Sequence, residues 1–227
     1  MKYKVLLFDA DETLFDFNYS EYNSIKQSLL HFDLTFDENI HIPLYHKINH
    51  DIWKDFEKGL ITQNSLKTER FSKFLKNLDI NVDYNNFSNV YMDYLGQSSF
   101  LFPESISIIE RLSKTHRLAI ITNGLTVVQE NRISKSIIAP YFEQIIISES
   151  INMSKPNAGI FKYTLEQMNF DDKSSVLMIG DSLTSDIEGG LNFGIDTCWY
   201  NPKKLKNTLN LTPTYEINTL ESIFDII

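Results

Sequence analysis

From residue 103 onward the chain alternates short, β-rich apolar runs with helical stretches, and that alternation leaves few folds open. The runs are "RLAIITNG", "EQIIISES", "SSVLMIGDS" and "DTCWYN". Between them lie "TVVQENRISKSI", "NAGIFKYTLEQM" and "SDIEGGLNFG", which read as helices. Strands alternating with helices build βαβ units, so the expectation is an α/β fold with a parallel sheet covered by helices on both faces. The opening "KVLLFD" has the same texture and is expected to be a further strand of that sheet. "PESISIIERLSK" reads as a helix with Pro in its first turn. The tail "NTLNLTPTYEINTLESIFDII" reads as a loop, a short edge strand and a closing helix.

The first strand is separated from its siblings by a stretch of different character. From about residue 19 to 95 the apolar positions recur at helical spacing, as with Tyr22, Ile25 and Leu29 in "SEYNSIKQSLLHF". "IPLYHKINHDIWKDFEKG" ends at Gly59, a good helix stop, and "TQNSLKTERFSKFLKNL" restarts after Thr62, an expected N-cap. "VDYNNFSNVYMDYL" gives a fourth helix. The expected organisation is a Rossmann-like core from residues 1–16 and 100–227, interrupted by an all-helical domain over residues 17–99.

A formal net charge of −9 argues against non-specific nucleic-acid binding, which needs a basic surface. It leaves room for a small anionic substrate, because one local cation can reverse the field in a pocket. The single cysteine, Cys198 in "TCWY", excludes an internal disulfide and reads as an inert core thiol. The apolar run near the start is too short for a signal sequence, and no window reaches membrane-span length. A cytoplasmic protein with no membrane partner is the expectation, as a monomer or homodimer.

In a parallel sheet all C-terminal strand ends share one edge, and ligands bind there where the strand order reverses. Four of the runs end in polar residues of particular kinds. "VLLFD" ends at Asp9, with Asp11 and Glu12 beyond it; "LAIIT" ends at Thr122, with Asn123 and Gly124 next. "QIIIS" is followed by Lys155 in "MSKPN", and "VLMIGD" ends at Asp181, with Ser182 and Asp186 next. Acids crowded at a strand end repel one another, so something positive is expected among them. Asp9, Asp11, Asp181 and Asp186 offer oxygen donors only, which suits Mg²⁺ rather than zinc. Thr122 and the amides of Asn123 and Gly124 offer donors to an anion, and Lys155 a positive charge. The set lacks a Ser–His pair and a GxxxxGK[ST] loop, so a phosphoryl group attacked by a carboxylate is the chemistry it fits. Each motif alone also has a plainer explanation, since Ser, Thr, Asn and Asp at strand ends commonly cap the next helix.

D-A-D-E-T, T-N-G, K-P and G-D-S-x-x-x-D, in this order, resemble the four-motif pattern of the haloacid-dehalogenase-like hydrolase superfamily. The helical insert resembles that superfamily's α-helical cap. "FDADETLFDF", "IWKDFEKGLIT", "ERF", "IITNG", "KPNAGIF" and "TCWYN" together look like its pyrimidine 5′-nucleotidase subfamily. "FPES" departs from the Pro-Gly found there in many relatives.

The resemblance implies a phosphatase in which Asp9 attacks phosphorus and forms an aspartyl-phosphate, and Asp11 serves as general acid and then general base. It implies Mg²⁺, replaceable by Mn²⁺, held by Asp9, Asp11 through its backbone carbonyl, Asp181 and, more remotely, Asp186 with Ser182. It implies phosphate binding by Thr122, Asn123, Gly124 and Lys155, with Thr13 shaping the loop. The implied substrate is a pyrimidine nucleoside 5′-monophosphate, altered bases included. Alternatives are a phosphatase for a sugar phosphate or phosphoglycolate, a dehalogenase, a phosphomutase and a non-catalytic binding module. Aromatic residues near the first connection and on the second helix are candidates for reading the leaving group: Phe15, Phe17, Tyr45, Trp53 and Phe56. Phe17 and Trp53 are the chosen specificity residues, although Trp53 and Phe56 also suit packing within the helical insert.

Overall fold

The computed structural model describes residues 2–57 and 59–227; Met1 and Lys58, the latter at the end of the second expected helix, lie outside them. The chain divides into two compact units, Met1–Phe17 with Ser99–Ile227, and Asn18–Ser98.

Strand β1 (Val5–Phe8) is followed by four helices, α1 (Phe17–His31), α2 (Glu38–Glu57), α3 (Gln63–Asn77) and α4 (Tyr84–Gln97). Then come α5 (Ser105–Leu112), β2 (Arg117–Thr122), α6 (Thr126–Arg132), β3 (Gln144–Ile147) and α7 (Ser148–Ile151). After these follow α8 (Ala158–Gln167), β4 (Val176–Gly180), α9 (Glu188–Phe193), β5 (Asp196–Tyr200) and β6 (Tyr215–Ile217).

The six strands form one sheet in the order β3-β2-β1-β4-β5-β6, with every pairing parallel. The expected α/β fold with a parallel sheet is therefore present. The chain builds outward from β1 through β2 to β3, then returns to lay β4 on the other side of β1. The reversal falls between β1 and β4, which is where a crevice opens at the C-terminal edge of such a sheet. The register fixes what lines that crevice. Phe8 pairs with both Ile120 and Ile179, so Asp9, Thr122 and Asp181 end neighbouring strands at nearly one level.

Alternating residues supply the two faces of the sheet. Leu6, Phe8, Leu118, Ile120, Leu177 and Ile179 pack with Ile108, Ile109 and Leu112 of α5 and with Leu220 and Ile223. Val5, Leu7, Ala119, Ile121, Val176 and Met178 pack with Ile160, Phe161 and Leu165 of α8. Cys198 is buried in β5, and burial pushes its thiol up to about 12, as an inert core cysteine requires.

The inserted unit is held by aromatic packing. Phe71, Phe74, Phe87 and Tyr91 are fully buried, with the Phe71 and Tyr91 rings 4.8 Å apart. Each such ring contributes roughly 1.5–3 kcal/mol by burial. Thr62 accepts from Ser65 N at 3.1 Å and Asp83 from Asn86 N at 2.8 Å, capping α3 and α4. Gly59, at φ 69°, follows α2 in the left-handed conformation that ends helices, and Leu60 N reaches back to Asp55 O at 2.9 Å.

Three local expectations differ from the structure. The helix expected over 126–137 stops at Arg132, and Ile133 and Ile138 turn into the core behind it. The run "EQIIISES" is strand only to Ile147; the next four residues make one helical turn. The closing helix is a 3-10 helix, Leu220–Asp225, anchored by buried Leu220 and Ile223 rather than by an α-helical stripe.

Candidate active site

Asp9 directly follows β1, and its N–H donates to Ile179 O at 2.8 Å, so the ladder to β4 continues through it. Beyond it the chain turns sharply: the amides of Leu14 and Phe15 both donate to Ala10 O, and Glu12 adopts φ 62°. The turn brings Thr13 Oγ1 back to Asp9 Oδ2 at 3.4 Å.

The other oxygen of Asp9 meets Lys155. The buried ammonium donates to Asp9 Oδ1 at 2.6 Å, Asp186 Oδ1 at 2.7 Å and Ile121 O at 2.7 Å, which uses all three of its protons. Burial opposes its charge, but Asp186 and Asp9 more than offset that and hold Lys155 above its usual range. Its backbone is fixed as firmly. Asn123 Oδ1 accepts from Lys155 N and Asn123 Nδ2 donates to Lys155 O, each at 2.8 Å. The Asn123 side chain thus ties the loop after β2 to the loop carrying Lys155.

Asp186 is brought in by a single π-helical turn, Leu183–Ile187, in which Ile187 N reaches Ser182 O, five residues back. Ser182 N donates to Asp186 Oδ2 at 3.0 Å. The carboxylate sits so close to Gly180 that a Cβ there would overlap it, so the Gly of "GDS" makes room for Asp186. Asp181 is anchored through its backbone, its carbonyl accepting from Trp199 Nε1 at 2.8 Å.

Carboxylate oxygens of Asp9, Asp181 and Asp186 all lie within 4.8 Å of one another. One lysine does not balance this group. Burial, with the charges of Asp186 and Asp11 and against the pull of Lys155, raises Asp9 to about 7. Burial and the charges of Asp9, Asp186 and Glu12 raise Asp181 to about 8. Carboxylates this reluctant to ionise together are what a bound cation relieves. The donor set holds oxygen only, so the residues fit a hard divalent ion such as Mg²⁺.

Asp11 is turned to different partners. Its Oδ1 accepts from Arg132 Nη1 at 2.7 Å and its Oδ2 from Gln129 Nε2 at 2.6 Å. Gln129 Nε2 also donates to Thr122 Oγ1 at 3.1 Å, and Thr122 Oγ1 accepts from Gly124 N at 3.1 Å. A Cβ on Gly124 would strike the Gln129 side chain, so the Gly of "TNG" is required by this contact. Gln129 and Arg132 were not among the residues singled out from sequence. The available signal was their spacing of three on the helix that follows "TNG", which places them on one face.

This arrangement, and the sheet behind it, match one family over most of the chain: residues 6–200 fit the model of the haloacid dehalogenase-like hydrolases. The chain belongs to the haloacid dehalogenase-like hydrolases. Within that family it is 36% identical to the pyrimidine 5′-nucleotidase PynA of Streptococcus pneumoniae, over 99% of this chain and 95% of that one. It is 32% identical to the pyrimidine 5′-nucleotidase YjjG of Escherichia coli, over 98% and 97% of the two chains. A crystal structure of Bacillus subtilis YfnB bound to magnesium superposes with a TM-score of 0.93 at 33% identity, covering 100% of this chain and 99% of that one.

As a haloacid dehalogenase-like hydrolase the chain offers a carboxylate, Asp9, with a lysine on one oxygen and a hydroxyl on the other. Among the aromatic candidates, Phe15 and Tyr45 are fully buried, which leaves them no face for a ligand. Phe17 is half-buried, with its ring centroid 5.0 Å from the Arg132 guanidinium carbon. Trp53 and Phe56, both half-buried on α2, meet edge to face at 5.8 Å. No helix among the described residues is long and apolar enough to cross a membrane.

Proposed function

We propose that the chain is a Mg²⁺-dependent phosphatase that releases phosphate from pyrimidine nucleoside 5′-monophosphates, those with altered bases included. The observation that carries the reading is the contact of Lys155 with both Asp9 and Asp186 beside Asp181 at the sheet's reversal point. The near full-length likeness to two pyrimidine 5′-nucleotidases supports the choice of substrate.

In this reading a carboxylate oxygen of Asp9 attacks phosphorus as the bond from phosphorus to the ribose O5′ breaks. Asp11 gives a proton to that leaving oxygen. Asp11 then takes a proton from water, which attacks the phosphorus of the aspartyl-phosphate and restores Asp9. Two carboxylates divide the work because one group is not both an ionised nucleophile and a proton donor. Lys155 orients Asp9 and offsets charge on the phosphoryl oxygens, while Thr122 and the Asn123 and Gly124 amides supply further donors. Asp9, Asp181, the Asp11 carbonyl and Asp186 would hold Mg²⁺, or Mn²⁺ in its place, which would lower the cost of bringing a phosphate dianion to a carboxylate. Phe17 stacks on the base, a contact that tolerates altered bases because every base has a π-face. Trp53 is the second specificity residue.

The test is a hydrolysis screen over nucleotides, sugar phosphates, phosphoglycolate and p-nitrophenyl phosphate with Mg²⁺. The expected result is the highest kcat/KM on uridine, thymidine and 5-substituted pyrimidine 5′-monophosphates, with di- and triphosphates poor. Phe17→Ala then lowers kcat/KM on nucleotides and spares p-nitrophenyl phosphate. Sugar phosphates or phosphoglycolate ahead of every pyrimidine nucleotide would overturn the substrate and leave the phosphatase standing.

A further inference from the structure

Asp11 has to present its carboxylate to a leaving oxygen on the substrate, yet it lies on a loop beyond the end of β1. Something must fix its direction. The structure holds both of its oxygens from one helix, α6. Arg132 Nη1 takes Oδ1 at 2.7 Å and Gln129 Nε2 takes Oδ2 at 2.6 Å. Arg132 Nη1 also donates to Gln129 Oε1 at 2.9 Å, so the three side chains close a ring. The ring is rigidly mounted. Gln129 is buried and braced by Thr122 Oγ1, and Arg132 is fully buried. The guanidinium carbon lies 5.3 Å from the Phe15 ring centroid and 5.0 Å from that of Phe17. The Arg132 carbonyl accepts from Ser99 Oγ at 2.7 Å. A guanidinium buried this fully needs a partner charge, and the carboxylate that supplies it is Asp11, on the loop beyond β1.

We propose that Arg132 and Gln129 are positioning residues that set the direction of the Asp11 carboxylate, so that proton transfer to the leaving group depends on them. The proposal rests on the phosphatase reading above. Arg132 meets the site through the Asp11 carboxylate and Gln129. Its loss therefore matters in proportion to how much the leaving group needs a proton. A ribose alkoxide needs one; p-nitrophenolate leaves with little help.

The experiment is single-turnover hydrolysis of uridine 5′-monophosphate and p-nitrophenyl phosphate by wild type, Arg132→Lys and Gln129→Met, with near-UV circular dichroism to check folding. Lysine keeps the charge and removes the planar Nη1 that donates to both Asp11 Oδ1 and Gln129 Oε1; methionine keeps the volume of Gln129 and loses its donor. Each folded variant is expected to slow the nucleotide by about 10–100-fold, the scale of a misplaced catalytic group, and the aryl phosphate by less than about threefold. In an Asp11→Asn background, Arg132→Lys is expected to add no further loss on the nucleotide. Equal losses on both substrates, or a full additional loss in the Asp11→Asn background, would overturn the positioning role while the phosphatase reading stood. A wild-type protein that hydrolyses neither substrate would overturn that reading and this proposal together. Gln129→Met carries the test if Arg132→Lys does not fold.

Discussion

Two clusters of buried polar residues, one in each unit, are built on opposite rules. In the inserted unit Glu21 Oε1 accepts from Asn49 Nδ2 at 2.9 Å and from the hydroxyls of Tyr45 and Tyr91 at 3.3 Å. Arg70 Nη1 donates to Asn49 Oδ1 at 2.8 Å, and its guanidinium lies over the Phe71 and Tyr91 rings. Glu21 and Arg70 are joined through neutral groups, so their opposite charges offset, although the buried Arg70 Nε has no hydrogen-bond partner among the described residues. Burial pushes the Tyr45 and Tyr91 hydroxyls up, which keeps them as neutral donors. Around Asp9 the count is uneven: Lys155 pairs with Asp9 and Asp186, Asp181 lies beside them, and Asp9 and Asp181 rise to about 7 and about 8. A balanced network serves to specify a core, whereas an imbalance of this kind is tolerated where a ligand completes it.

The largest effect that separates the two is on turnover. Asp9→Asn is expected to keep the fold and lower kcat by about 10⁴-fold or more, because an amide does not attack phosphorus. Activity within tenfold of wild type in a clean preparation would remove Asp9 from its part. The matching change in the inserted unit acts on stability instead. Glu21→Leu strands the donors of Asn49, Tyr45 and Tyr91 and should cost roughly 1–3 kcal/mol, read as a lower Tm, with Mg²⁺ affinity unchanged. A Glu21→Leu protein with unchanged Tm and weakened Mg²⁺ binding would erase the distinction.

That the strand ends share one edge was legible from sequence, because local apolar runs fix where strands end and parallel pairing aligns those ends; that the reversal falls between β1 and β4 was not. Asp9, Thr122 and Asp181 could be placed on one edge on that ground; Lys155 comes after β3 and a further helical turn, and its approach to Asp9 is tertiary. What the acids touch was less accessible. Asp186 reaches Lys155 through a π-turn whose five-residue bond leaves no mark in the pattern of residues. Gln129 and Arg132 share a face by their spacing of three, but that this face meets Asp11 is a tertiary outcome that helical periodicity did not show. The aromatic candidates divided for a similar reason. Burial in the inserted unit takes Tyr45 out of reach, and nothing in its spacing from Trp53 distinguishes the two. The closing segment has apolar residues enough for an α-helix, and the structure instead packs Leu220, Ile223, Phe224, Ile226 and Ile227 on the core from a 3-10 helix and the residues just after it.

The uneven charge has a sign that pH reveals. With folded values raised from 3.8 to about 7 for Asp9 and about 8 for Asp181, the folded protein holds more protons than the unfolded chain between those limits. Metal-free stability therefore declines as pH rises through that window, and a cation that binds the ionised carboxylates offsets the decline most at its upper end. The direct measurement is Mg²⁺ binding by isothermal titration calorimetry from pH 6 to pH 9, in buffers of different ionisation enthalpy, on wild type and Asp181→Ala. The account predicts protons released on binding, an affinity that rises by up to ~tenfold per pH unit for each proton displaced and levels off above about pH 8, and much weaker binding by Asp181→Ala. An affinity flat across this range with no proton release, or Asp181→Ala binding as tightly as wild type, would contradict it.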